Sequence, residues 1–201
     1  MRSILAISTI LAVLFINETS AQQVDNSNEY MITSGNQQSA SYFDYGKHSY
    51  VEYFQNNKKE IKGHEYSVLI RRYSWGKNDT TYYRVDEHNY LHFNQKTQSE
   101  SIVLPRVPKK NYTWYENDSS WVYKILETDQ KFKTPAKKYR NCVLVKANQL
   151  TNRDPEKFSE YYLYYSKGIG YVGNSDNKGN ILSYLKEIVV DAKEGTKIGG
   201  N

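Results

Sequence analysis

Apolar and aromatic residues fall along most of the chain in short β-branched and aromatic runs, separated by clusters of Asn, Asp, Gly and Lys. Runs of that length and type predict strands, and the polar clusters between them predict tight connections. About ten such runs stand out: Ser49–Phe54, His64–Ser74, Thr80–Val85, Tyr90–Phe93, Glu100–Leu104, Trp121–Glu127, Tyr139–Ala147, Phe158–Lys167, Gly170–Val172 and Ile181–Val190. Trp75-Gly76-Lys77-Asn78-Asp79 and Asp86-Glu87-His88-Asn89 have hairpin-turn composition, and the stretch from Asn174 to Asn180 is a longer turn of the same kind. Parallel neighbours would need crossovers of about a dozen residues, and none separates these runs. The fold class this predicts is all-β: a single antiparallel meander of about ten strands, curled into a barrel or half-barrel. The last run also fits a helical face through Ile181, Leu182, Leu185, Ile188 and Val189, but the strand reading, with Leu182, Tyr184, Ile188 and Val190 on one face, is preferred.

The pattern breaks down at both ends. Arg2 precedes the apolar run Ile4 to Ile16, and Thr19-Ser20-Ala21 puts small residues at a cleavage position, so residues 1–21 read as a secretory signal peptide. The apolar run falls short of the roughly 20 residues that span a bilayer as a helix. No other stretch is long and apolar enough, so no transmembrane segment is expected in the mature chain. Residues 22–40 are polar, amide-rich and nearly free of core residues, and read as a flexible lead-in. Residues 191–201, rich in Gly and charge, read as a disordered tail. The β domain is placed at 41–190. Export permits disulfides, yet Cys142 is the one cysteine and lies in the apolar run Cys142-Val143-Leu144-Val145, which predicts a buried, inert thiol. No cysteine follows the signal peptide to take a lipid anchor.

Composition refines this picture. The chain has 201 residues, and 38% hydrophobic content is low for a packed domain. However, 20 Tyr and 3 Trp supply large rings that disordered chains seldom carry. A single folded, Tyr-rich domain follows, expected as a monomer. With 27 Lys+Arg against 22 Asp+Glu the formal charge is +5, which raises nucleic acid as a partner. The basic residues are interspersed rather than blocked, so no nucleic-acid partner is assigned. Asn78, Asn111 and Asn117 head glycosylation sequons, relevant only in a eukaryotic secretory pathway.

The chemical motifs are weak in context. Gly168-Ile169-Gly170-Tyr171-Val172-Gly173 matches the dinucleotide-binding spacing, but no helix follows it, and glycines at a strand kink or bulge are the better account. Ser183-Tyr184-Leu185-Lys186 and Ser175-Asp176-Asn177 occur in the reverse of the order found in penicillin-recognising enzymes, without the third motif. His88 and His92 would share a metal only on a helix; in a strand they are surface histidines about 13 Å apart. No catalytic residue, metal site or cofactor is assigned, and the chain is read as non-enzymatic. The most unusual segment is Tyr161-Tyr162-Leu163-Tyr164-Tyr165, in which strand alternation sets Tyr161, Leu163 and Tyr165 against Tyr162 and Tyr164. Tyr pairs an apolar body with a polar tip, so Tyr162, Tyr164, Tyr123 and Trp114 are the candidate wall of a ligand pocket.

The phrase Thr134-Pro135-Ala136-x-x-Tyr139-x-Asn141-Cys142-x-x-Val145, then Tyr164-Tyr165-Ser166-Lys167-Gly168-Ile169-Gly170-Tyr171-Val172, resembles a family of exported bacterial proteins described as TapB-like or as domains of unknown function. Trp114 and the stretch Leu182 to Leu185 extend the resemblance over about residues 80–190. It implies an antiparallel β architecture in the bacterial periplasm or cell envelope and supplies no catalytic residues. The expected function is a secreted or periplasmic binding module for an apolar or amphipathic ligand, such as a lipid or glycan, or for an envelope component. The alternative is a structural protein–protein interaction module of the envelope.

Overall fold

The computed structural model describes residues 28–31, 39–151 and 158–190. Their strands are β1 (Ser39–Tyr45), β2 (His48–Phe54), β3 (Lys59–Ile61), β4 (His64–Tyr73), β5 (Asn78–Val85), β6 (Asn89–Asn94), β7 (Ser99–Pro105), β8 (Thr113–Tyr115), β9 (Trp121–Lys133), β10 (Lys138–Gln149), β11 (Glu160–Ser166), β12 (Gly170–Ser175) and β13 (Ile181–Val190). All pair antiparallel in one 13-stranded sheet, ordered β7-β6-β5-β4-β2-β1-β13-β12-β11-β10-β9-β8, with β3 beside β4 off that path. The sheet is all-β and nearly closed into a barrel.

The meander is the predicted one, with more strands. β1, β3 and β8 are the additions. β1 begins in the expected lead-in and pairs with β13, from Ser39 opposite Val190 to Tyr45 opposite Ser183, so the first and last strands close the ring. Residues 181–190 are therefore strand. The gap in the ring lies mid-chain, between β7 and β8. Side chains span it in place of a ladder: the Trp114 indole Nε1 donates to the Ile102 carbonyl at 3.0 Å, and the Asn117 N–H donates to Ser101 Oγ at 3.1 Å. Register shifts at Tyr42/Phe43, Tyr90/Leu91, Tyr164/Tyr165 and along β10 are bulges that bend strands toward closure.

Alternation fixes which residues face inward. Val143, Val145 and Ala147 of β10 stand opposite Tyr165, Leu163 and Tyr161 of β11, and this face carries the packed core of Tyr90, Leu104, Trp114, Ile125, Val143, Val145 and Tyr165. Residues 28–31 supply core contacts from a lead-in that reads as nearly free of core residues. Met31 is buried in that core, with Tyr30 against it. The Glu29 carboxylate accepts from the Tyr90 hydroxyl and from Arg106 Nη2 at 2.9 Å, and its carbonyl accepts from the Gly168 N–H at 2.7 Å. This short strap ties the start of β6, the end of β7 and the β11–β12 turn together.

The long β9–β10 hairpin folds its tip over the outside of β11–β13. Phe132 stacks on Tyr164 at 3.9 Å, and the Tyr139 hydroxyl donates to the Leu185 carbonyl at 3.2 Å. Gly173, at φ +145°, makes this possible, because a Cβ there would meet the Ser183 carbonyl and sit 2.9 Å from the Phe132 ring. Cys142 is fully buried, as its apolar run predicts.

Candidate functional site

The register carries one inward face across β1, β2, β4 and β5, and this face is not apolar. Phe43 stands opposite Tyr50, Tyr50 opposite Tyr73, Glu52 opposite Arg71, Arg71 opposite Asp79, and Ser67 opposite Tyr83. Two-residue periodicity places Tyr50 and Glu52, and Arg71 and Tyr73, on that one face. Arg71 Nε donates to Glu52 Oε1 at 2.7 Å and Nη2 approaches the same oxygen at 2.5 Å, while Nη1 donates to the Tyr73 hydroxyl at 3.4 Å. The guanidinium also lies over the Tyr50 ring, 4.8 Å from its centroid. Removing such a pair from water is costly unless its geometry compensates. Here it is only half removed: the Arg71 side chain keeps 36% of its surface open although it points inward, and that of Glu52 keeps 13%.

Ionisation in this region follows the packing. Burial works to lower the Arg71 pKa, but Glu52, Tyr50, Tyr73 and Tyr83 outweigh it and hold Arg71 well above its ordinary value. Burial, aided by the Glu52 charge, pushes Tyr83 up to about 12. Burial also raises Tyr50, Tyr165 and Tyr171. The Tyr171 hydroxyl shares a 2.9 Å bond with Ser183 Oγ, and Ser183 in turn donates to Asn174 Oδ1 at 2.8 Å. The tyrosines are neutral hydrogen-bonding groups at physiological pH, and Arg71 and Glu52 are the charges among them.

Rings lead from this region to the surface. Trp75, 48% exposed, stacks on Tyr73 at 4.3 Å and meets the edge of His48 at 5.0 Å. Tyr73 then contacts Tyr50 at 5.7 Å, Tyr50 contacts Phe43 at 4.8 Å, Phe43 contacts Tyr171 at 5.7 Å, and Tyr171 contacts Tyr165 at 5.8 Å. Exposed Tyr45 stands at the same end, opposite Ser183. The β4–β5 turn holds Trp75 in place: the Ser74 N–H donates to the Ser49 carbonyl at 2.9 Å, and the Ser49 N–H donates to Ser74 Oγ at 3.2 Å.

The sequence-predicted wall residues divide between the two faces of the sheet. Trp114 and Tyr123 are inside, stacked at 5.4 Å, and continue through Trp121 and Tyr161 to exposed Phe158. Tyr162 and Tyr164 are opposite Lys146 and Leu144 on the outer face. Tyr162 donates to Glu160 Oε1 at 2.8 Å beneath the Lys146 ammonium, and Tyr164 lies under Phe132. The four therefore do not share one wall. Arg71, Glu52 and Trp75 were missed, although the Tyr-x-Glu of β2 and the Arg-x-Tyr-x-Trp running from β4 into the β4–β5 turn are visible signals once the strands are paired.

His92 is a further correction, since it faces inward opposite Ser101 and burial lowers its pKa. Glu116 is near it, but that carboxylate takes the Tyr123 hydroxyl at 2.7 Å and Ser120 Oγ at 3.3 Å, and Ser101 Oγ takes the Asn117 N–H. Among the described residues no group of three metal-ligating side chains occurs. Gly168 and Gly170 adopt positive φ at the β11–β12 turn, and Asp176 accepts from Lys178 and Asn180 within the following turn. An open pocket of about 380 Å³, lined by Lys58, His64, Glu65, Ser67, Tyr83, Arg84 and Val85, reaches the inward face at Ser67 and Tyr83. Compared with protein-family models, with curated proteins and with solved structures, the chain finds no match.

Proposed function

We propose that the chain is an exported, non-enzymatic binding module that takes an amphipathic ligand at the end of its barrel framed by the β1–β2 and β4–β5 turns. The observation that carries this reading is the Arg71–Glu52 pair, which faces inward, stays partly accessible and is linked through Tyr73 to the exposed ring of Trp75. Ligand sites combine a mostly apolar or aromatic lining with a few placed polar groups, and this end of the barrel has both. The core between β6–β7 and β9–β11 is filled by its own side chains, so the ligand sits at the mouth rather than deep within. Export rests on residues 1–21, which lie outside the described residues.

Native mass spectrometry of the full chain recovered from a bacterial periplasmic extract, followed by a binding screen of lipids and glycans, tests the reading. A bound species that is lost in Arg71→Met supports it. A bare protein mass together with an empty screen overturns it.

A further inference from the structure

We infer that the polar part of the ligand is a neutral sugar ring, seated on Trp75 and hydrogen-bonded by Arg71 and Glu52; this rests on the binding reading above. Three features converge on that chemistry. The first is a fixed, half-open indole. Trp75 is backed by Tyr73 at 4.3 Å and edged by His48, so one stacked side is used and much of the ring remains free. An aromatic face held against water favours a partner with a flat apolar side of similar width, and the C–H face of a pyranose has that shape.

The second feature is a partly accessible pair of hydrogen-bonding groups. Both close Arg71 contacts go to Glu52 Oε1, so the guanidinium fork engages one carboxylate oxygen rather than two. Arg71 has further N–H donors beyond those that meet Glu52 and Tyr73, since a guanidinium carries five. A carboxylate acceptor next to guanidinium donors suits adjacent hydroxyl groups, each of which both gives and takes a hydrogen bond. The Tyr73 hydroxyl lies between Arg71 and the Trp75 platform and adds a group of the same dual kind.

The third feature is charge balance. Arg71 is neutralised by Glu52, and Lys77 of the same turn is paired with Asp79 at 3.1 Å. An anionic headgroup would have to displace a carboxylate from a guanidinium that already holds it, and a cationic one would meet Arg71. A neutral polyhydroxyl group meets neither cost. The formal charge of +5 thus says little about this end of the molecule.

The test compares dodecyl maltoside, dodecyl phosphocholine and maltose by isothermal titration of the full chain, with both detergents below their micelle concentrations. The maltoside is expected to bind about tenfold more tightly than the phosphocholine of equal chain length, a gap of about 1.4 kcal/mol. Trp75→Ala is expected to abolish that preference, weakening maltoside binding about tenfold more than phosphocholine binding, and Glu52→Gln to reduce it. Trp75 is exposed, so its replacement leaves the core intact. Equal affinity for the two detergents, or a maltoside preference that survives Trp75→Ala, overturns the sugar assignment and leaves the binding reading standing. Binding of maltose alone, lost in Trp75→Ala, supports the sugar assignment without the alkyl chain. Failure of all three ligands, with a bare mass from the extract, removes both readings.

Discussion

One continuous inward face builds two unlike walls. Across β6, β7 and β9–β11 it presents Leu104, Ile125, Val143 and Val145, all with essentially no exposed surface, and residues 28–31 close over them. Across β2, β4 and β5 the same alternation presents Glu52, Arg71, Thr81 and Tyr83, which stay half-buried. Backbone geometry is common to both walls, so the difference resides in side-chain choice alone. The apolar wall contributes stability through burial, at roughly 25 cal/mol per Å² removed from water. The polar wall contributes little by that route and retains groups able to exchange partners. Division of labour between fold maintenance and recognition is thus drawn within one sheet.

The sharpest way to break this contrast is to injure each wall in turn. Ile125→Ala opens a void in the filled wall and is expected to cost about 2–5 kcal/mol of unfolding free energy in urea titrations. Glu29→Ala leaves the Tyr90 hydroxyl, on a residue only 1% exposed, without its acceptor and frees Arg106; a loss of about 1–3 kcal/mol is expected by the same measurement. Glu52→Gln on the polar wall is expected to cost only about 1 kcal/mol, because the exposed part of Arg71 is still solvated. Should Glu52→Gln prove as damaging as Ile125→Ala, the two walls would share one structural role.

The smallest effect concerns His92, whose pKa is lowered by burial. A histidine kept neutral in the folded state contributes stability that is fully present above its unfolded pKa of about 6.5 and is lost as pH falls through the lower folded value. Melting curves of His92→Gln should therefore fall less steeply than those of the parent chain below about pH 6.5, by a few degrees at most. An identical slope in the two proteins would show that His92 is solvated.

The sequence carried the architecture better than the site. Strand runs such as Tyr139–Ala147 and Trp121–Glu127 are dense in β-branched and aromatic residues, and their alternation reveals both period and partner type. β1 opens on Ser-Ala-Ser, β3 is Lys-Glu-Ile and β8 is three residues long, so none offers a period to detect. Glu29-Tyr30-Met31 was the one aromatic and apolar island in an otherwise polar lead-in, and only tertiary contact gives it meaning. The Tyr161–Tyr165 segment drew notice by density, and its alternation was read correctly, yet which side is the interior depends on the neighbouring strands. Arg71 and Glu52 are far apart along the chain and unremarkable alone. Their pairing is a property of the β2–β4 register.

The ring closes at its termini and gaps at its middle, which sets the order in which it can assemble. Hairpins of each half form from near neighbours, but β1 and β13 must find one another across almost the whole chain, as the 2.7 Å bond from the Tyr184 hydroxyl to Asp44 across 140 positions illustrates. Non-local pairing of this kind slows folding, since loop entropy is lost before contacts repay it. Docking of β13 on β1 is the pairing with the largest loop-closure cost, and until it forms β1 is an uncapped edge open to pairing with other chains. A circular permutant opened between Val107 and Tyr112, with the end of β13 joined by a linker to residue 28 so that the strap at residues 28–31 is kept, would bring β1 and β13 close in sequence. It would fold faster to the same barrel.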